Sequence, residues 1–287
     1  MPLAPPGPTY SRIIAQDRDR QIHVQVNGSG ELTAVLLTGL GTPATWWYGP
    51  DDEMENILTL VARETWEDAP FIAPELAKRF RVVTYDRAGM QESTAPTQPR
   101  TIDDFLHELK AVLTAMEVEH PVVLIAHSIG GLIALEYARR FPDMVHALVL
   151  LDSSHPDQLA RFAMAASADQ LRIEAESRRE FLDEHPERPD LEALLNQGED
   201  FARPGCLGEV PLLVVSRGIR PGQDMDPPFD SYLQRREEIW QALQTDLVAY
   251  STHGQQLHLT SPFHYVYLDQ PWTVLHAVNA FLKQLCP

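Results

Sequence analysis

The stretch Val122-Val123-Leu124-Ile125-Ala126-His127-Ser128-Ile129-Gly130-Gly131 constrains this fold most: a wholly apolar run stops at a serine flanked by small residues. It reads as strand, sharp turn, helix. A serine on such a turn holds its hydroxyl above the strand end, and the amides that follow open a helix and point toward any negative charge beside it. The turn leaves no room for bulk two residues before or after the serine, which accounts for Ala126 and Gly130. Gly131 then allows helix and strand to pack closely.

The run is one of several. Residues 34–37, 82–85, 147–151 and 211–215 are also continuous apolar segments. Strands apolar on both faces and joined by helices belong to a parallel sheet covered on both sides. At the start, residues 13–14 and 22–26 alternate around a polar turn and predict an edge hairpin. Thr101 predicts an N-cap, with Phe105, Leu109, Val112 and Met116 following at helical spacing. Further helices are expected near 57–63, over a face carrying Tyr232, Trp240, Leu243 and Leu247, and over the last residues from Val274 to Leu285. A last short strand is expected near 256–260. Between Ser153 and about Glu209 the alternation stops. Leu159, Phe162, Ala163 and Ala166 share one helical face there, and Leu191, Leu194 and Leu195 another. The expected organisation is an α/β core of residues 1–152 and 210–287 with a small helical cap inserted over 153–209.

A formal net charge of -18 opposes binding to nucleic acid phosphates or anionic membrane surfaces. Cys206 and Cys286 lie far apart and outside any metal-ligand spacing, so reduced thiols are expected and no metal site is proposed. No signal peptide and no stretch of membrane-spanning length is read, so a soluble cytoplasmic protein is expected.

A serine nucleophile needs a base, the base needs an orienting carboxylate, and the oxyanion needs preorganised donors. Of eleven histidines, His264 is the best base, because it sits in a loop after the last strand and before the last helix. His258 reads as structural within that strand, His127 as pointing away from the serine, and His155 as a substrate contact at the cap junction. The amides of Leu40, in the glycine-rich bend Gly39-Leu40-Gly41, and of Ile129 are the candidate oxyanion donors. That bend is too short and lysine-free to be a phosphate loop. Trp46, Trp47, Tyr48, Phe162 and Met164 are candidates for lining an apolar pocket, with core packing as the other account of them.

Ala126-His127-Ser128-Ile129-Gly130-Gly131 resembles the nucleophile elbow of the α/β-hydrolase superfamily, with alanine where the first glycine usually stands. Thr38-Gly39-Leu40-Gly41 resembles its His-Gly-x oxyanion loop, with Thr38 in place of histidine. Residues 85–93, Tyr-Asp-Arg-Ala-Gly-Met-Gln-Glu-Ser, resemble its Tyr-Asp-x-x-Gly-x-Gly-x-Ser segment, and residues 264–271 its catalytic-histidine segment. The matches run in family order across nearly the whole chain. The resemblance implies a mostly parallel eight-stranded sheet flanked by helices, with the insertion as cap. It also implies a serine hydrolase, probed most simply with carboxylic esters, acting on a small-molecule acyl substrate without a cofactor. A serine nucleophile argues against the dehalogenase and epoxide hydrolase branches, which attack with aspartate; lactonase, carbon–carbon hydrolase, amide hydrolase, cofactor-free haloperoxidase and receptor-like roles stay open. The family most often places its acid as Gly-x-x-Asp after the strand that here ends at Val215. This chain has Gly218-Ile219-Arg220-Pro221 instead, with Asp224 and Asp226 later. Asp152, at the end of the preceding strand, is favoured, and Asp224 is the alternative.

Overall fold

The computed structural model describes residues 11–49, 70–118, 120–196, 201, 204–219 and 227–285. The helix expected near 57–63, and Asp224 and Asp226, lie outside them. β1 (Ser11–Asp17) and β2 (Arg20–Asn27) form the expected hairpin. β3 (Thr33–Leu37) and β4 (Arg81–Tyr85) follow, with α1 (Ile72–Leu76) ahead of β4. Next come α2 (Ile102–Ala115), β5 (Val122–His127), α3 (Gly130–Arg140) and β6 (Val145–Leu151). Thr101 starts α2 as expected, its backbone N–H donating to the Asp104 carboxylate at 3.0 Å.

The insertion holds α4 (Gln158–Ala163), α5 (Ala168–Asp183) and α6 (Leu191–Leu194). Apolar spacing finds the first and last but not α5, which buries no residue at all. With no core face to stamp a period on its sequence, this helix relies on local terms: a Ser167–Gln170 capping box and an Arg172–Glu176 pair one turn apart. Beyond it run β7 (Leu212–Ser216), α7 (Pro227–Val248), β8 (Gly254–His258), α8 (Val266–Asp269) and α9 (Pro271–Leu285). β8 begins two residues earlier than expected, at Gly254, where the chain passes so close to the end of α7 that a Cβ would stand 2.1 Å from the Val248 carbonyl oxygen.

The eight strands form one sheet in the order β1-β2-β4-β3-β5-β6-β7-β8. β2 is antiparallel to both neighbours, and β3 to β8 are parallel. Fully buried alternate residues of these strands feed two apolar layers. One layer joins Val35, Leu124 and Leu148 to Leu109 of α2, Ile133 of α3 and Leu247 of α7; the other joins Leu36, Ile125 and Val149 to Leu76 of α1 and Val278 of α9. Each fully buried Leu or Ile contributes roughly 2 kcal/mol relative to exposure, so burial on both faces is what ties the strands together. No helix among the described residues is long and apolar enough to cross a membrane.

Candidate active site

Strand order reverses at β3, with β4 on one side and β5 on the other. In open α/β sheets the crevice beyond the carboxyl ends of strands at such a reversal is where ligands bind. Three loops meet there, following β3, β5 and β6. Ser128 follows β5 in a left-handed conformation at φ 53°, and Asp152 follows β6 in another at φ 42°. Two non-glycine residues held in this sparsely populated region at adjacent strand ends cost about 1–3 kcal/mol each, and the surrounding packing holds them there. The turn is closed by the Ser128 carbonyl, which accepts from the amides of Gly131 and Ser154 at 3.0 Å each. Gly130 and Gly131 are required by space as well: a Cβ would stand 2.6 Å from the Thr38 carbonyl oxygen at Gly130 and 1.8 Å from the Ser153 Oγ at Gly131.

The bend after β3 packs on the serine turn, where a Cβ on Gly39 would stand 3.3 Å from the Ser128 Cβ. This sets Leu40 beside the serine turn. Ile129 lies at the N-cap of α3, where the first backbone N–H groups of a helix have no partner inside it. Both candidate oxyanion donors therefore flank Ser128.

His264 lies in the loop between β8 and α8, and its Nδ1 meets the Asp152 carboxylate at 2.6 Å. Asp152 is fully buried while the His264 side chain keeps 28 % of its surface exposed, so one end of the imidazole is enclosed and the other faces the crevice. Among the described residues the carboxylate that meets His264 thus comes from the end of β6, the position favoured by sequence. Three further donors hold it. The Trp240 indole N–H reaches Oδ1 at 2.9 Å, the Arg217 backbone N–H reaches Oδ1 at 3.3 Å, and the Arg217 Nε approaches Oδ2 at 3.3 Å. Glu237 on α7 fixes that guanidinium at 2.5 and 2.8 Å. A buried carboxylate with this many donors is fully solvated by the protein and stays ionised beside the imidazole.

His127 points away from the serine hydroxyl, but it is not idle. Its ring lies 4.6 Å from that of His264, and its Nε2 bonds the His264 backbone carbonyl at 3.1 Å. A carbonyl only accepts, so Nε2 carries the proton and Nδ1 is left as a buried acceptor without a partner. Burial, helped by neighbouring His264, holds His127 well below the usual histidine range and keeps it neutral. Gly39 leaves room for that ring, since a Cβ there would come within 2.9 Å of Nδ1.

The remaining sequence candidates are placed as follows. Trp46 and Trp47 form a 3-10 turn; Trp47 is fully buried with its ring 4.3 Å from Tyr267, and Trp46 packs 5.3 Å from Tyr265, the neighbour of His264. Tyr48 is buried beside Thr84. Phe162 is buried against Trp240 and Leu243, whereas Met164 is almost wholly exposed. His155 is enclosed, its Nδ1 accepting from the Asp157 N–H at 3.0 Å and its Nε2 bonded to the Tyr250 hydroxyl at 2.9 Å. His258 ends β8 and bonds the Ser216 hydroxyl at 3.0 Å. Sequence reasoning missed Arg217, although it directly follows β7, and read Trp240 only as an apolar face of its helix. A tryptophan there fits both readings, because its ring is apolar and its one N–H is visible only when a carboxylate lies opposite.

A family model described as the alpha/beta hydrolase fold matches residues 35–287. Over 251 residues, 88% of this chain and 83% of its relative, the sequence is 27% identical to the uncharacterized protein YqjL of Bacillus subtilis. It is 27% identical over 129 residues to the 2-hydroxy-6-oxo-6-(2'-aminophenyl)hexa-2,4-dienoic acid hydrolase of Metapseudomonas resinovorans, covering 45% of this chain and 41% of that protein. A thermophilic esterase from Thermogutta terrifontis superposes with a TM-score of 0.60 at 18% identity, over 96% of this chain and all of that one, which is a likeness of fold. With the family model spanning the sheet from β3 to the last helix, and the strand order, the serine turn and the histidine–carboxylate pair in one crevice, the chain belongs to the α/β-hydrolase fold family.

Proposed function

We propose that the protein is a serine hydrolase that cleaves a carboxylic ester or related acyl compound through an acyl-enzyme on Ser128. The observation that carries this reading is the 2.6 Å contact between His264 Nδ1 and Asp152, made at the end of the strand next to the one that presents Ser128. With Nδ1–H donated to Asp152, the His264 Nε2 is an unprotonated base. In the reaction it takes the Ser128 proton as Oγ bonds to the acyl carbon, and the Leu40 and Ile129 N–H groups receive the carbonyl oxygen as it becomes an oxyanion. Collapse expels the alcohol, which leaves with the proton from His264. Water then attacks the acyl carbon by the same steps in reverse, releasing the acid and free Ser128.

Asp152 keeps the imidazole in one tautomer throughout and offsets the positive charge on His264. Trp240 and Phe162 form the apolar wall on the insertion side, and Trp46 with Tyr265 the opposite one, which suits an acyl group of modest size. Hydrolysis of a panel of short-chain p-nitrophenyl esters tests the reading. Ser128→Ala is expected to lower kcat by about a million-fold or to background, and turnover that survives this change at wild-type rate would sink it.

A further inference from the structure

Residues 184–190, between α5 and α6, are bound into the core rather than resting on it. Arg100 and Pro189 form a bridge, with the Arg100 N–H donating to the Arg188 carbonyl and the Asp190 N–H to the Arg100 carbonyl, both at 2.8 Å. Gly89, at φ +93°, gives way to this strap: a Cβ there would stand 2.1 Å from the Pro186 carbonyl oxygen. At its centre Glu187 is fully buried and pairs side by side with Arg87, Nε to Oε2 at 2.5 Å and Nη2 to Oε1 at 2.9 Å.

Both partners also hold the bend after β3. Arg87 Nη2 donates to the Gly39 carbonyl at 2.6 Å, and Nη1 donates to the Thr38 carbonyl at 2.7 Å. Glu187 Oε1 accepts the Gly41 N–H at 2.7 Å. The two peptide planes that flank Leu40 are therefore fixed. In a trans peptide the carbonyl and the N–H point to opposite sides, so drawing the Gly39 carbonyl to Arg87 turns the Leu40 N–H the other way. The Gly41 N–H, spent on Glu187, cannot serve as the donor.

Burial works against charge on both side chains, yet Arg87 holds Glu187 below the usual carboxylate range and Glu187 raises Arg87 further, so the pair is ionised. Such a pair is a weak source of stability compared with apolar residues of the same size, because desolvation offsets most of the attraction. Its hydrogen bonds to the bend give it a different use.

We propose that Glu187 is a positioning residue: through Arg87 and the Gly41 amide it aims the Leu40 N–H at the oxyanion, so that the oxyanion site is complete only while the 184–190 strap is seated. The proposal rests on the serine-hydrolase reading. It couples the insertion to the rate of the chemical steps and leaves substrate binding largely alone.

The test compares wild type with Glu187→Gln and with the double change Arg87→Met and Glu187→Met, which removes both buried charges together. Three quantities are measured: kcat and KM on p-nitrophenyl butyrate, the urea midpoint, and the infrared carbonyl stretch of an isotope-labelled cinnamoyl group on Ser128. A fall in kcat of about 10- to 100-fold is expected, smaller than the loss of a whole oxyanion donor, with KM within about twofold. The carbonyl stretch is expected to move to higher wavenumber as its hydrogen bond weakens, while the double variant keeps or raises the urea midpoint. A folded double variant with wild-type kcat and carbonyl frequency overturns the proposal and leaves the hydrolase reading intact. If the double variant does not fold, Glu187→Gln decides by the same two readouts. Failure of wild-type Ser128 to acylate at all overturns both.

Discussion

Asp152 sits where four donors converge, and the donors do different things. His264 is the one whose loss of contact stops chemistry: Asp152→Asn swaps an acceptor for an amide, favours the wrong imidazole tautomer, and is expected to lower kcat by about 10⁴-fold with the fold intact. Trp240 only steadies the carboxylate. Trp240→Phe keeps the ring and deletes one hydrogen bond to a charged acceptor, worth about 1.5–3 kcal/mol, so kcat on p-nitrophenyl esters is expected to fall roughly 10-fold. Equal losses in the two variants would contradict this division of roles. Gly39 is held by space alone; Gly39→Ala brings a methyl within 2.9 Å of His127 Nδ1 and 3.3 Å of Ser128 Cβ, and is expected to cost about 1–3 kcal/mol of stability, read from urea midpoints, together with most of the activity. At this scale the sequence marks residues whose type is tied to a turn or to a reaction, such as Ser128, Gly130 and His264. It does not mark Glu187, one acid in the proline-flanked run His185-Pro186-Glu187-Arg188-Pro189, because nothing local distinguishes a buried ion pair from a solvated charge.

Elements differ in legibility for a related reason. β5 and β6 are buried on both faces and α2 on one, so burial writes its period into their sequences, and each lies where the spacing puts it. α5 packs no side chain into a core and leaves no such period. The strap after α5 is fixed by backbone and charge contacts, which have no periodicity either. Gly89 is its test at this scale: alanine at φ +93° with the Pro186 carbonyl 2.1 Å from its methyl is expected to lower the urea midpoint by an amount equivalent to about 2–4 kcal/mol. Ile173→Lys, on the exposed side of α5, is expected to shift it by less than about 0.5 kcal/mol. A reversal of that order would mean that the strap is loose and α5 is docked.

The whole molecule is acid-sensitive by construction. Buried His155 accepts the Asp157 N–H at Nδ1 and can stay in place only as a neutral ring, which burial, aided by Arg161, enforces by lowering its pKa from 6.5 to about 3. His127 and His185 are lowered in the same direction, also chiefly by burial. Below pH 6.5 the unfolded chain binds protons that the folded chain refuses, so this stability is complete above about 6.5 and falls as pH drops toward the folded values. His155 alone is expected to cost about 2 kcal/mol at pH 5, visible as a fall in urea midpoint between pH 7.5 and pH 5 that His155→Gln reduces. Across the molecule, sheet order, serine turn, histidine loop and carboxylate were legible because a catalytic set must follow the order of the strands that carry it. The contacts joining the insertion to the core were not, since they depend on which side chains meet only after folding. The central claim is that this sheet presents Ser128 as an activated nucleophile. Reaction of the folded protein with a fluorophosphonate, followed by mass spectrometry of its peptides, is expected to place one phosphonyl adduct on Ser128, lost in Ser128→Ala and slowed strongly in His264→Ala; folded protein with Ser128 unmodified, or modified as fast without His264, would contradict it.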